Sequence, residues 1–176
     1  MRRMSNRNFI SWLAKAGIAD ESGGGAVWLT FTATPDLRRS WDAPRDPALH
    51  GDWLRRVVRA ASPDGPWWLW RRDGAAWWTD GEPPRGSSEA LRRASREAGV
   101  PYEFAGALGF GGDERDVMTA LVEAVAGGWR EWDVWEDVYL VPGDRSCAVM
   151  LCHDEEIHAA FATPERMDAF AAATAG

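Results

Sequence analysis

The stretch from Val134 to Phe161, VWEDVYLVPGDRSCAVMLCHDEEIHAAF, decides the fold class. Val134 to Val141 and Cys147 to Cys152 are apolar runs separated by a Pro-Gly-Asp-Arg turn, and Ile157 to Phe161 follows the polar residues His153 to Glu156. Short apolar runs bounded by turn residues read as strands, so the stretch predicts a three-stranded meander. Immediately after it, Thr163, Pro164 and Glu165 supply an N-cap, a first-turn proline and first-turn acidity for a closing helix. That helix turns Met167, Phe170 and Ala171 inward.

Working back from the meander, Asp113 opens a helix through Val117, Met118, Leu121, Val122 and Val125 that Gly127 and Gly128 stop. Before it, Ser87 or Ser88 caps a helix carrying Leu91 and Ala94, and Tyr102 to Leu108 follows as a glycine-containing strand. Asp46 and Pro47 start another helix with Leu49, Trp53, Leu54 and Val57 on one face. Near the N-terminus, Ser5 caps a short helix with Phe9, Ile10, Trp12 and Leu13 at helical spacing. The stretch 20–25 reads as a loop, and 26–34 alternates Val27, Leu29 and Phe31 with threonines in the period of a half-buried strand. Trp67 to Arg72 and Ala75 to Thr79, joined by Asp73 and Gly74, read as a hairpin with a type I′ turn.

The order is roughly α-β-α-ββ-α-β-α-βββ-α. Strand runs interspersed with helices favour an α+β domain with a mixed, largely antiparallel sheet over a parallel doubly wound one. No repeat or low-complexity tract divides the 176 residues, so a single domain spanning 1–176 is expected.

Tryptophan dominates the aromatic content, with 12 Trp against 2 Tyr and 6 Phe. In the expected hairpin, Trp68 and Trp70 fall on one face while Trp67 and Leu69 fall on the other. Two such faces cannot meet one core layer, so the hairpin is either sandwiched or presents Trp to solvent. Trp and Arg are the residues that dominate interface hot spots. Trp67, Trp68, Trp70, Arg71, Trp77 and Trp78 are therefore candidate anchors for a partner. A second aromatic and acidic segment, with Glu131, Trp132, Asp133, Glu136 and Asp137, offers charge for steering a basic partner.

The formal net charge of −7 argues against a polynucleotide partner, because phosphate binding needs clustered positive charge. Arginine pairs at 2 and 3, 38 and 39, 55 and 56, 71 and 72, and 92 and 93 are dispersed and read as solvated faces. No apolar run approaches the length of a membrane span and no secretory leader is recognisable, so a cytoplasmic protein is expected. Cys147 and Cys152 lie five apart and fall on opposite faces of any strand, so no disulfide between them is expected.

Among chemistry-bearing groups, His153 and His158 with Asp154, Glu155 and Glu156 gather metal-ligand and acid/base side chains, but five-residue spacing fits no standard zinc pattern. Gly106, Gly109, Gly111 and Gly112 precede the Asp113 helix, yet Asp113, Glu114 and Asp116 put negative charge where a phosphate would sit, so close packing is the expected role. Nucleophile elbows, zinc-protease helices and Cys-x-x-Cys pairs are missing from the sequence. The expectation is a non-catalytic protein-binding domain without cofactor or metal. An immunity-like or antitoxin-like inhibitor of a basic protein is the concrete instance. The alternative is a small enzyme or a metal- or ligand-binding domain using the segment around His153 and His158.

Overall fold

A computed structural model describes residues 1–23, 26–71, 76–79, 88–128 and 137–175, with the backbone alone at 20–23 and 26–28. Its elements are β1 (Arg2–Ser5), α1 (Asn6–Ala14), β2 (Ile18–Gly23), β3 (Ala26–Phe31), β4 (Arg38–Asp42), α2 (His50–Ala61), β5 (Trp67–Arg71), α3 (Glu89–Glu97), β6 (Gly106–Phe110), α4 (Arg115–Gly128), β7 (Val138–Pro142), β8 (Cys147–Cys152), β9 (Glu156–Phe161) and α5 (Pro164–Thr174). Single 3-10 turns, Pro47–Leu49 and Gly112–Glu114, lead into α2 and α4. No described helix is long and apolar enough to cross a membrane.

Helix starts follow the caps legible in the sequence. The side chains of Ser5, Asp46, Ser88 and Thr163 each accept a backbone N–H in the first turn that follows, as oxygen-bearing caps do. The C-terminus of α2 is closed by a residue distant in sequence. Arg166 of α5 donates to the carbonyls of Ala60 and Ala61 at 2.6 Å each and to Ser146 Oγ at 3.0 Å, placing a cation on the negative end of the helix.

Seven strands form one sheet in the order β1-β6-β5-β7-β8-β9-β4, and β2 with β3 forms a separate hairpin. Every described pairing is antiparallel, so the α+β expectation holds and the helix order is as expected. The meander is present as β7, β8 and β9.

The sheet is covered on both faces. Trp67 and Leu69 of β5 join Leu54, Val57, Leu91, Leu121, Val125 and Phe170 in a core between the sheet and α2, α3, α4 and α5. Trp68 and Trp70 join Phe9, Leu13, Leu29, Phe31 and Tyr139 in a second core beneath α1 and the β2–β3 hairpin. Trp70 stacks on Tyr139 with ring centroids 5.6 Å apart, and its Nε1–H donates to Asn6 Oδ1 at 2.9 Å. Of the two arrangements open to the aromatic strand, the sandwiched one is realised.

The partner of β5 differs from the expected hairpin. β5 pairs with β6 on one side and β7 on the other, leaving no edge for a second arm. Residues 72–75 lie outside the described residues, and 76–79 carry no strand pairing. Trp77 instead enters the helix-side core with its backbone N–H on Phe104 O and its ring N–H on Gly106 O at 2.7 Å. The Tyr102 to Leu108 strand begins later than expected, at Gly106.

Three strands carry no pattern that reveals them. β1 and β4 are the exposed edges of the large sheet, and their arginines, Arg2 and Arg3, Arg38 and Arg39, place charge where unpaired strand edges would otherwise invite aggregation. β2 begins on the buried Ile18, but its remainder over 20–23, expected as part of a loop at 20–25, is Asp, Glu, Ser and Gly and is a strand because β3 pairs with it.

Close packing accounts for the glycines of β6. A Cβ on Gly109 would lie 2.8 Å from the Trp68 ring, and one on Gly106 would lie 2.4 Å from Met4 O. The two cysteines are free and occupy opposite cores, as their spacing requires.

Trp67→Ala should destabilise the fold by about 3–5 kcal/mol and Gly109→Ala by about 1–3 kcal/mol in urea unfolding. Leu49→Ala, at a residue 51% exposed, should stay within about 0.5 kcal/mol of wild type in the same measurement.

Candidate functional site

The antiparallel ladder brings particular residues to one end of the sheet. Ser5 is level with Gly106, Arg71 with Val138, Val138 with Leu151, Cys152 with Glu156, and Glu156 with Asp42. At this end β1, β5, β8 and β4 finish while β6, β7 and β9 begin. The loop before β6, residues 76–79 and the turn between β8 and β9 therefore gather here.

At the β7–β8 step the register sets Asp137 beside Cys152, with His153 opening the turn. Asp137 is 5% exposed, and its Oδ1 accepts from the His153 backbone N–H at 3.0 Å and lies 2.8 Å from His153 Nδ1. Cys152 Sγ lies 3.9 Å from the same ring nitrogen and 3.8 Å from Asp154 Oδ2. Asp154, 72% exposed, stands 3.6 Å from His153 Nε2. Burial pushes the Cys152 thiol up to about 12, helped by the charges of Asp137, Asp154 and Glu156 and opposed by a backbone hydrogen bond at Asp154. At neutral pH it is a thiol, which is a poor nucleophile.

One row further along the sheet, His158 lies level with Ser40 of β4 and Met150 of β8. Its Nδ1 is 2.7 Å from Ser40 Oγ and its Nε2 is 3.2 Å from Glu156 Oε2. Desolvation lowers the His158 pKa against the raising pull of Glu156, Asp137 and Asp154. His153 and His158 thus do not converge on one centre. The first belongs to the turn with Asp137 and Cys152, and the second to a cross-strand pair at the sheet edge.

On the β6 side of the same end, Trp78 and Tyr102 meet edge to face at 5.3 Å, and the Arg96 guanidinium lies 5.9 Å from the Trp78 ring centre. Tyr102 is 49% exposed, whereas Trp78 is half-buried and anchored by its ring N–H on Val100 O at 2.6 Å. An aromatic pair beside an arginine is the composition of an interface hot spot.

The anchors expected from sequence are mostly elsewhere. Trp67, Trp68, Trp70 and Trp77 are at most 9% exposed and pack the two cores, and Arg71 is 4% exposed with its guanidinium on Ala76 O. Their burial removes them from any partner's reach and corrects the expectation that they form a binding surface. Trp78 keeps a partly open position. Asp137, expected as surface charge, is buried and holds His153. Glu131, Trp132, Asp133 and Glu136 lie outside the described residues.

Ser40 and Asp42 carry no motif and enter the site through strand register, whereas Arg96 of α3 and Tyr102 of the turn before β6 reach it through their contacts with Trp78. The glycine-rich approach to α4 is closed from within, since Glu114 Oε2 accepts from Gly111 N–H at 2.9 Å where an anion would bind. A cavity of about 310 Å3 between α2 and α4, lined by His50, Leu54, Arg55 and Glu123 among others, is crossed by the Arg55–Glu123 ion pair at 2.6 Å.

In the folded protein neither thiol should react with iodoacetamide at pH 8, because burial also holds Cys147 at about 12. Both should be carboxamidomethylated after unfolding, as read by mass spectrometry. His158 gives a pH signature. Its folded pKa lies below the ordinary 6.5, so the unfolded chain binds the proton first as pH falls. The His158 contribution to stability is complete above about pH 6.5 and is lost below it as pH falls toward the folded value. The drop in melting temperature from pH 7.5 to pH 5 should be smaller for His158→Asn than for wild type.

No family model, curated protein or solved structure matches the chain.

Proposed function

We propose that the chain is a non-catalytic binding protein that takes a basic protein partner on this end of the sheet. An immunity-like or antitoxin-like inhibitor of a basic toxin is the concrete instance. The observation that carries the reading is that the same end of one sheet bears an aromatic and arginine patch at Trp78, Tyr102 and Arg96 beside β6 and, at its β8–β9–β4 side, carboxylates at Asp42, Asp154 and Glu156.

Anchoring and steering need different chemistry, and both are present. Aromatic side chains supply large contact area with little rotamer freedom to lose, so a half-open Trp and Tyr pair is suited to burial by a partner. Carboxylates grouped in one place raise the encounter rate with a cationic surface and disfavour anionic competitors. The net charge of −7 works in the same direction.

Affinity capture from the cells of origin at moderate salt, using wild type and the Tyr102→Ala and Asp42→Lys/Asp154→Lys variants in parallel, tests the reading. A stoichiometric basic protein should be retained by wild type and weakened at least about tenfold by Tyr102→Ala, with unfolding free energy changed by no more than about 0.5 kcal/mol. The charge variant should bind more slowly and with less dependence on salt. A partner bound equally by all three proteins, or no basic partner at all, would remove this surface from consideration.

A further inference from the structure

We infer that Asp137, Cys152 and His153 form a binding site for a borderline-soft divalent cation of the Zn2+ class. The three donor atoms, a carboxylate oxygen, a sulfur and an imidazole nitrogen, all lie within 4.8 Å of one another. They come from the entry to β7, the last residue of β8 and the first residue of the following turn, and the β7–β8 register holds them together.

Two of the three donor pairs are spaced close to a loaded site. Tetrahedral zinc with ordinary bond lengths sets sulfur and nitrogen ligands about 3.6 Å apart and nitrogen and oxygen ligands about 3.3 Å apart. Here Cys152 Sγ and His153 Nδ1 are 3.9 Å apart, and Asp137 Oδ1 and His153 Nδ1 are 2.8 Å apart. The sulfur must close on the nitrogen by about 0.3 Å and the carboxylate must withdraw by about 0.5 Å, displacements that side-chain rotation supplies.

Donor chemistry selects the ion. Calcium and magnesium take oxygen ligands, whereas a mixed set of thiolate, imidazole and carboxylate suits zinc and its neighbours. On binding, the Cys152 S–H bond gives its proton to solvent and the sulfur coordinates as thiolate, while the His153 ring changes tautomer, its Nδ1 proton passing through solvent to Nε2 on the Asp154 side, so that the neutral imidazole coordinates through Nδ1. The fourth position is left to water, with Asp154 Oδ2 3.8 Å from Cys152 Sγ beside the site. Asp137 is buried behind the site and Asp154 is exposed in front, so an ion enters from the acidic end of the sheet.

Co2+ titration of the untagged full chain, followed by optical absorption, tests the assignment. Wild type should bind one equivalent with a thiolate-to-cobalt charge-transfer band and tetrahedral ligand-field bands, and Zn2+ should displace the cobalt. Cys147→Ala, which removes the thiol of the opposite core, should keep the band. Cys152→Ala should abolish it, and His153→Ala should lower affinity by more than the roughly 10- to 100-fold that outer-shell changes cost. His153 sits at the surface mouth, so its variant serves if Cys152→Ala does not fold. Wild type without a sulfur band, or a band that survives both Cys152→Ala and His153→Ala, would overturn the site. The outcome is read on the isolated chain and is independent of any protein partner.

Discussion

The interior strand Trp67–Arg71 has bulky apolar side chains on both faces, and the rest of the molecule is arranged to cover them. An alternating strand with one polar face needs a single covering layer. Here Trp67 and Leu69 require one layer and Trp68 and Trp70 another. Four helices provide the first, and α1 with the β2–β3 hairpin provides the second. Burying an indole also requires a partner for its N–H, which Asn6 gives to Trp70 and Ser62 O gives to Trp67 at 3.1 Å. Gly109 is small for the same reason, since the Trp68 ring lies over it.

With β5 placed at the interior of the sheet, its neighbours β6 and β7 determine what collects at each end. The strand ends at Arg71, Val138, Cys152, Glu156 and Asp42 lie in adjacent positions because every pairing is antiparallel and nearly without offset. Asp137 then enters the protein one residue before β7. A buried carboxylate needs hydrogen-bond donors, and the backbone and ring of His153 supply them. The Asp137–His153 contact is thus a consequence of the fold and a source of chemistry at once. The same burial that orders the donors keeps Cys152 protonated when nothing but protein surrounds it.

Burial also separates residues that composition groups together. Tryptophan abundance alone points to anchors on a surface, but the tryptophans of β5 stabilise the core and cannot be presented to a partner without unfolding it. The aromatic area left partly open at this end of the sheet belongs to Trp78 and Tyr102, beside Arg96. The arginine pairs divide in the same manner. Those on β1 and β4 guard sheet edges, whereas Arg71 is interior.

Elements with a strong period or an explicit boundary residue were determined by the sequence itself. The four capped helix starts, the β7–β8–β9 meander and the opposition of Cys147 to Cys152 all follow from spacing along a few residues. The opposite facing of Trp67 and Trp68 was legible too, and with it the need for two covering layers. What covers them was not legible, because pairing partners of a strand are chosen by contacts distant in sequence. The Asp-Gly dipeptide after β5 favours a local hairpin, yet β6 and β7 bury more of the strand than a free two-stranded ribbon could. Edge strands β1 and β4 and the largely polar strand β2 owe their conformation to a neighbour's backbone and carry no alternating hydrophobic pattern. The site belongs to the same class. Asp137, Cys152 and His153 were each visible as residues, but only the β7–β8 register brings a carboxylate fifteen positions before the thiol to within reach of it, since a ladder pairs residues by position across strands and not by distance along the chain.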